Sequence, residues 1–369
     1  MSKIYCLKTG IIYRNPIPHV KSEHAYFPSV VSLTGGELVA TMALGQAFES
    51  SDQHIYVAHS IDNGETWNIR GPVYKGLADV PTSEYCRITA VEDEIVAFII
   101  KYNRSRADCG LTNEYNMGFV ETDLAIIRSE DKGVTWSNPL SFAPPLIGPS
   151  FEMCCPIVAL NDGRWIIPTS TWRGWDGYCP NGMKAVALVS FDRGNNWTEF
   201  MDVMSDVENG IIFWESRIVE LPDHRLLAVA WTYDEKNACD LPNHFALSDV
   251  SGKVFGPAKS TGLNGQTLAP VLLDDGRILS VYRRADKPGL WANISRIDGN
   301  DWINEYEQPL WGYEPDKMVS KDSNMVKNFN VLRFGAPSII RLLDGTLFLA
   351  VWAVEECVGD IRWFKLKVE

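Results

Sequence analysis

Six stretches of the chain share one pattern: an apolar strand rich in Val, Ile and Leu, a polar turn, and a second apolar strand. They begin at Phe27, Tyr85, Cys154, Glu215, Thr267 and Ala336, and two of them read FPSVVSLTGGELVATM and TLAPVLLDDGRILSVYRR. The interval is about 60 residues, somewhat more than a compact four-stranded unit needs, which puts the surplus into loops. Short β-branched strands, regular Asp-Gly turns and no long amphipathic helix predict an all-β fold. Radial repetition of four-stranded sheets leaves only short edges exposed, so six copies predict a six-bladed β-propeller. No Pro-, Gly- or Ser-rich linker divides the chain, and residues 1–369 are expected to form a single domain.

A second repeat is sharper. Ser60-Ile-Asp62-Asn-Gly64-Glu-Thr66-Trp67, Ser129-Glu-Asp131-Lys-Gly133-Val-Thr135-Trp136 and Ser190-Phe-Asp192-Arg-Gly194-Asn-Asn196-Trp197 all fit S-x-D-x-G-x-T/N-W. Each residue type has a mechanical purpose: Asp bonds nearby amides, Gly supplies a positive-φ turn position, and Trp covers the hairpin base. With strands numbered outward from the axis, the Asp-Gly turn joins strands 1 and 2 and the S-x-D-x-G turn joins strands 3 and 4. Both turns then lie on one face, and chemistry is expected on the other.

Composition narrows the classes of partner. Apolar residues make up 46% and charged residues 22%, enough to bury a large core. A net charge of −13 without clustered Lys or Arg excludes a nucleic-acid surface and an anionic membrane as expected partners. The start, MSKIYCLKTG, lacks a charged segment followed by an apolar one, and a cytoplasmic protein is expected. Cys6, Cys86, Cys109, Cys154, Cys155, Cys179, Cys239 and Cys357 show no C-x-x-C spacing, so free thiols are expected rather than zinc or disulfides. The adjacent Cys154 and Cys155 open a strand and are read as packing. His24, His54 and His244 come from separate loops without ligand spacing, and neither a metal nor a cofactor is implied.

The loops of the expected functional face hold the unusual residues. Blade one offers His24, Tyr26, Glu49 and Asp52, blade two Arg87, and blade three Glu152, Trp172 and Arg173. Later blades add Glu215, Arg217 and Trp231, then Gln266, Tyr282, Arg283 and Arg284. Aromatic platforms, guanidinium or amide donors and paired carboxylates are what a carbohydrate site requires. For any one residue a solvated or structural role is the simpler reading. Trp172 and Trp231 end apolar strands, where packing between blades explains them as well as sugar stacking does. Glu215 and Arg217, two apart on a strand, share a face on which a structural ion pair is the simplest expectation.

With both repeats in hand, the sequence resembles the sialidase superfamily, whose S-x-D-x-G-x-T-W repeats are called Asp boxes, over nearly the whole chain. The resemblance implies a carboxylate-holding Arg triad, a Tyr nucleophile partnered by Glu, and an Asp acid/base in the first-blade loop. Glu215-Ser-Arg-Ile-Val-Glu220-Leu221 is similar to the family's E-x-x-x-x-E-L strand opening, which makes Glu215 the first catalytic candidate. Asp52, or alternatively Glu49, matches the acid/base position by its loop. The remaining signature departs: the first Arg is replaced in Tyr26-Phe27-Pro28, the second falls on Trp231, and the Tyr falls on Pro337-Ser338. Arg283 and Arg284 are candidates for a partial replacement of the anion clamp. The expected function is an exo-acting glycoside hydrolase using a carboxylate pair, on a glycoside carrying an acidic or neutral sugar. A uronide lyase using Tyr26, His24 or His244 as base and a non-catalytic sugar-binding propeller are the alternatives.

Overall fold

The computed structural model describes residues 2–74, 81–153, 155–314, 325–328 and 331–369. Six antiparallel sheets are arranged as a β-propeller. Blade I comprises His24–Ser32, Leu38–Gly45, His54–Ser60 and Asn68–Pro72; blade II comprises Thr82–Val91, Glu94–Asn103, Thr122–Ser129 and Leu140–Phe142. Blade III starts with the short strands Ser150–Phe151 and Val158–Ala159, followed by Trp165–Trp172, Ala185–Ser190 and Glu199–Met204. Blade IV is Ile211–Glu220, Leu226–Asp234, Cys239–Leu247 and Lys259–Ser260; blade V is Gly265–Leu272, Ile278–Arg284, Leu290–Asp298 and Asp301–Trp311.

Blade VI is built from both ends of the chain. Phe334–Arg341, Leu347–Glu355 and Val358–Val368 supply three strands, and Ile4–Tyr13 pairs antiparallel with Val358–Val368 as the outermost. The ring is thereby latched by a sheet rather than by a loop. Ala25 and Met42 of blade I pack with Phe348, Trp352 and Trp363 of blade VI in one core cluster, which seals the same joint.

Second strands such as Leu38–Gly45 and Ile278–Arg284 are buried at every position, whereas the outer strand Asn68–Pro72 is largely exposed. A strand covered on both faces by neighbouring blades tends toward a continuous apolar run, as Leu38–Gly45 nearly is, while Ile278–Arg284 ends in two buried arginines.

The three S-x-D-x-G turns close by one mechanism. Ser60 Oγ donates to Asp62 Oδ1 at 2.8 Å, the Gly64 and Thr66 amides donate to Ser60 Oγ and Asp62 Oδ1 at 2.9 Å each, and Trp67 Nε1 donates to Gly64 O at 3.0 Å. The turns at Asp131 and Asp192 repeat the Ser–Asp and Ser–Gly bonds. The Trp rings reach the next blade: Trp67 lies 5.9 Å from Phe348 and Trp197 5.7 Å from Phe142, centroid to centroid. Asn63 Nδ2 donates to Asp344 of the blade VI Asp-Gly turn and Lys132 pairs with Glu37 of blade I, so both kinds of turn share one face. Blade IV carries a related turn in which Asp249 Oδ1 accepts the Lys253 amide at 3.0 Å, outside the three-copy sequence pattern.

Gly64 sits at φ +85°, and a Cβ there would collide with the Phe348 ring. Gly276 has a similar φ of +81° but open space around it. Gly64→Ala is therefore expected to destabilise the protein by about 1–3 kcal/mol more than Gly276→Ala, through overpacking at the blade I–VI joint. Urea unfolding of the two variants measures the difference; equal midpoints would remove packing from the account of this turn.

The seven described cysteines are unpaired. Cys155 is buried, and burial pushes its thiol up, as for a packing residue, while Cys154 lies outside the described residues. Among the described residues no helix is long and apolar enough to cross a membrane.

Candidate functional site

A recurring backbone irregularity shapes the centre of the ring. The innermost strands of blades I, IV, V and VI each lose register once, between Tyr26 and Ser29, Trp214 and Arg217, Gln266 and Ala269, and Gly335 and Ser338. At each slip one residue that is not glycine takes a left-handed conformation: Phe27 (φ 53°), Glu215 (46°), Thr267 (56°) and Ala336 (47°). Such bulges re-aim a side chain that regular pleating would direct elsewhere. All four residues line one central cavity, to which every blade contributes.

Three carboxyl-bearing residues line it. Glu49 comes from the loop after Leu38–Gly45, Glu152 from the start of blade III, and Glu215 from the tip of the blade IV bulge. Glu49 Oε2 accepts the Leu111 amide at 2.9 Å, and Arg104 holds the same loop by donating from Nη2 to the carbonyls of Glu49 and Cys109, both at 2.9 Å. Gly110 leaves room for this arrangement, since a Cβ there would lie 2.6 Å from Glu49 Oε2. Burial raises the Glu49 pKa, against the opposing Leu111 amide and Arg104 charge. Glu152 Oε2 accepts the Glu215 amide at 2.6 Å. Burial and then the Glu215 charge push Glu152 well above the ordinary carboxylate range. Glu215 is raised by burial too, while Arg283, Arg217 and Arg87 favour its ionised form. Within the Glu152–Glu215 pair the guanidinium groups thus favour charge on Glu215, while burial favours the protonated form of Glu152.

Asp52 shares the Glu49 loop but stands outside this lining. Its Oδ1 accepts the Gln46 amide at 3.1 Å, and it borders a separate recess with Lys21, Glu23 and His54. Burial acts to raise its pKa, but hydrogen bonds from Ser50 and Gln46 leave it below the usual value.

Two guanidinium groups reach the cavity. Arg87 Nη1 donates to Phe27 O and Pro28 O, both at 3.0 Å, which ties blade II to the blade I bulge. Arg283 donates from Nε to Gln266 Oε1 and from Nη1 to Phe334 O, both at 2.9 Å. Gln266 in turn donates to Asp240 Oδ2 at 2.8 Å, and Asp240 Oδ1 accepts Trp231 Nε1 at 2.6 Å. Gln266 and Asp240 thus orient Arg283 and Trp231 from outside the cavity. Arg217 is buried behind the bulge; it makes no ion pair with Glu215, although its charge acts on that carboxyl.

Aromatic rings supply the walls. Trp172 stacks on Trp214 at 5.4 Å and 11°, Trp231 meets Trp214 edge-on at 4.8 Å, and Phe27 packs against Tyr85 at 4.6 Å. Trp172 and Trp231 both line the cavity as well as packing between blades.

The remaining sequence candidates lie outside the lining. Arg173 pairs with Glu235 through two bonds of 2.7 and 2.9 Å. Arg284 binds Asp286 and Glu307 beneath the Trp291 ring, and Tyr282 donates to Glu307. His24 Nδ1 accepts the Gly359 amide at 2.8 Å and stacks on Tyr26, which is buried edge-on to Trp352. Sequence reasoning gave no role to Phe27, Phe48, Tyr85 or Asp240, and it placed Glu152 on this face without assigning it chemistry. Among the described residues no group of three His, Cys, Asp or Glu side chains is arranged to hold a metal ion.

No family model matches the chain, and no curated protein matches it. Solved structures do. A Dyadobacter fermentans protein of unknown function superimposes with a TM-score of 0.74 at 19% identity, covering 99% of each chain. Trypanosoma rangeli sialidase with the inhibitor DANA gives 0.63 at 15% identity over 93% of this chain, which spans 55% of that one. NanB sialidase from Streptococcus pneumoniae gives 0.65 at 12% identity, covering 97% of this chain and 70% of that one. This likeness and the six blades agree: the chain has a sialidase-like propeller fold.

Proposed function

We propose that this protein is an exo-acting glycoside hydrolase in which Glu49 is the proton donor and Glu215 the partner carboxylate. The observation that supports this most is that Glu49, Glu152 and Glu215 line one aromatic-walled cavity together with Arg87 and Arg283. Burying carboxyl groups is costly, and strongly perturbed carboxyls in a cleft are a hallmark of catalytic sites. In the proposed reaction the Glu49 proton passes to the glycosidic oxygen as its bond to the anomeric carbon breaks. A water oxygen attacks that carbon and its proton passes to Glu215, so hydrolysis balances. Solved Trypanosoma rangeli structures hold sialic acid and DANA, and a carbohydrate ligand for this chain is part of the proposal.

Hydrolysis is preferred to elimination because His24, Tyr26 and His244 are not among the residues lining the cavity, and of the tyrosines that do line it, Tyr85 and Tyr102, burial pushes Tyr85 well above its ordinary pKa, against service as a base. A panel of neutral and acidic glycosides, followed by both reducing-sugar release and ultraviolet absorbance, tests the reading. Reducing sugar without an absorbing unsaturated product is expected. An absorbing product would mark a lyase, and tight glycan binding without turnover a lectin-like propeller.

A further inference from the structure

We infer that Glu152 is a positioning residue: from blade III its carboxyl clamps the Glu215 amide and so holds the Glu215 carboxylate at the tip of the left-handed bulge. The inference rests on the proposed role of Glu215, which it deepens. Phe27, Thr267 and Ala336 occupy the same backbone conformation in blades I, V and VI, with φ of 53°, 56° and 47°. Only in blade IV does the bulge carry an ionisable side chain, and there a carboxylate-type acceptor 63 residues away receives its amide at 2.6 Å. The clamp is itself anchored. The Glu152 amide donates to Ser170 O at 3.1 Å, and Thr169 Oγ1 donates to Glu152 O at 2.6 Å. Both Glu side chains line the cavity, so the amide is fixed where the carboxylate must act.

Burial and the Glu215 charge favour the uncharged form of Glu152. The groups acting on it are Glu215 and the Ser170 hydroxyl, while the three guanidinium groups of Arg283, Arg217 and Arg87 act on Glu215. The cations thus stabilise charge on one member of the pair and leave the proton on the other. An amide oxygen is an equivalent uncharged acceptor, and a methyl group is not.

The test compares Glu152→Gln with Glu152→Ala. Glu152→Gln is expected to keep kcat within about threefold of the native protein, whereas Glu152→Ala loses about 10²-fold in kcat with KM little changed, the scale of a misplaced catalytic group. Two readouts need no turnover. Difference infrared spectra at neutral pH should show a protonated-carboxyl band that weakens in Glu152→Gln, and hydrogen-exchange protection of the Glu215 amide should persist in Glu152→Gln and vanish in Glu152→Ala. Equal damage from both substitutions, an unweakened band in Glu152→Gln, or full protection in Glu152→Ala would overturn the inference. Glu152→Gln decides alone if Glu152→Ala does not fold. If no glycoside is turned over, the hydrolase reading fails while infrared and exchange still decide the clamp.

Discussion

Replacing Glu215 by Gln should lower kcat by about 10²–10⁴-fold, the usual contribution of a positioned acid–base group, and leave KM within a few-fold. The substitution preserves shape and the backbone amide that Glu152 receives, so the bulge should survive. What is lost is the carboxyl whose charge Arg283, Arg217 and Arg87 favour, the group proposed to accept a proton from water. Steady-state kinetics on any glycoside found in the panel measures this, with a cooperative thermal transition as the check on folding. Native-like kcat in Glu215→Gln would remove Glu215 from the chemistry.

The second large effect concerns Glu49 and pH. In the proposed reaction Glu215 must be ionised, so activity should rise as pH passes its pKa, and Glu49 must be protonated, so activity should fall as pH passes its own. Burial raises both groups, which places both limbs above the ordinary carboxylate range. Glu49→Gln should erase the falling limb and cut kcat by about 10²–10⁴-fold on glycosides with poorly acidic leaving groups. Aryl glycosides whose phenols leave without protonation should be nearly spared. An unchanged falling limb in Glu49→Gln, or equal loss on both substrate types, would exclude Glu49 as the acid.

Much of the scaffold was legible because it rests on short-range regularities. The six hairpins are written in local apolar strands around polar turns, and the three S-x-D-x-G turns in residues that bond within their own turn. Ile4–Tyr13 was not assigned, because its partner Val358–Val368 lies at the other end of the chain and no local feature announces the pairing. The bulges were equally silent: Phe27, Glu215, Thr267 and Ala336 are residue types that sequence gives no reason to place at positive φ.

The site divides along the same line. Glu215 stood out through its strand-opening motif, but Glu49 and Asp52 share one loop, and only the Leu111 amide and Arg104 of blade II show which of them faces the cavity. Arg283 and Arg284 are adjacent, so strand alternation sends one inward and the other toward Asp286 and Glu307. Alternation was available in the sequence; which of the two faces inward was not. Glu152 follows two strand residues in an irregular segment, and its meaning comes from an amide 63 residues away.

The most direct test of the central claim is a crystal structure of Glu215→Gln with a glycoside that the native protein cleaves. The scissile oxygen should lie within hydrogen-bond reach of the Glu49 carboxyl, with the anomeric carbon turned toward position 215 and the sugar against Trp172 and Trp231. A productive glycoside bound anywhere else, or one in this cavity with its scissile bond turned away from both carboxyls, would contradict the account.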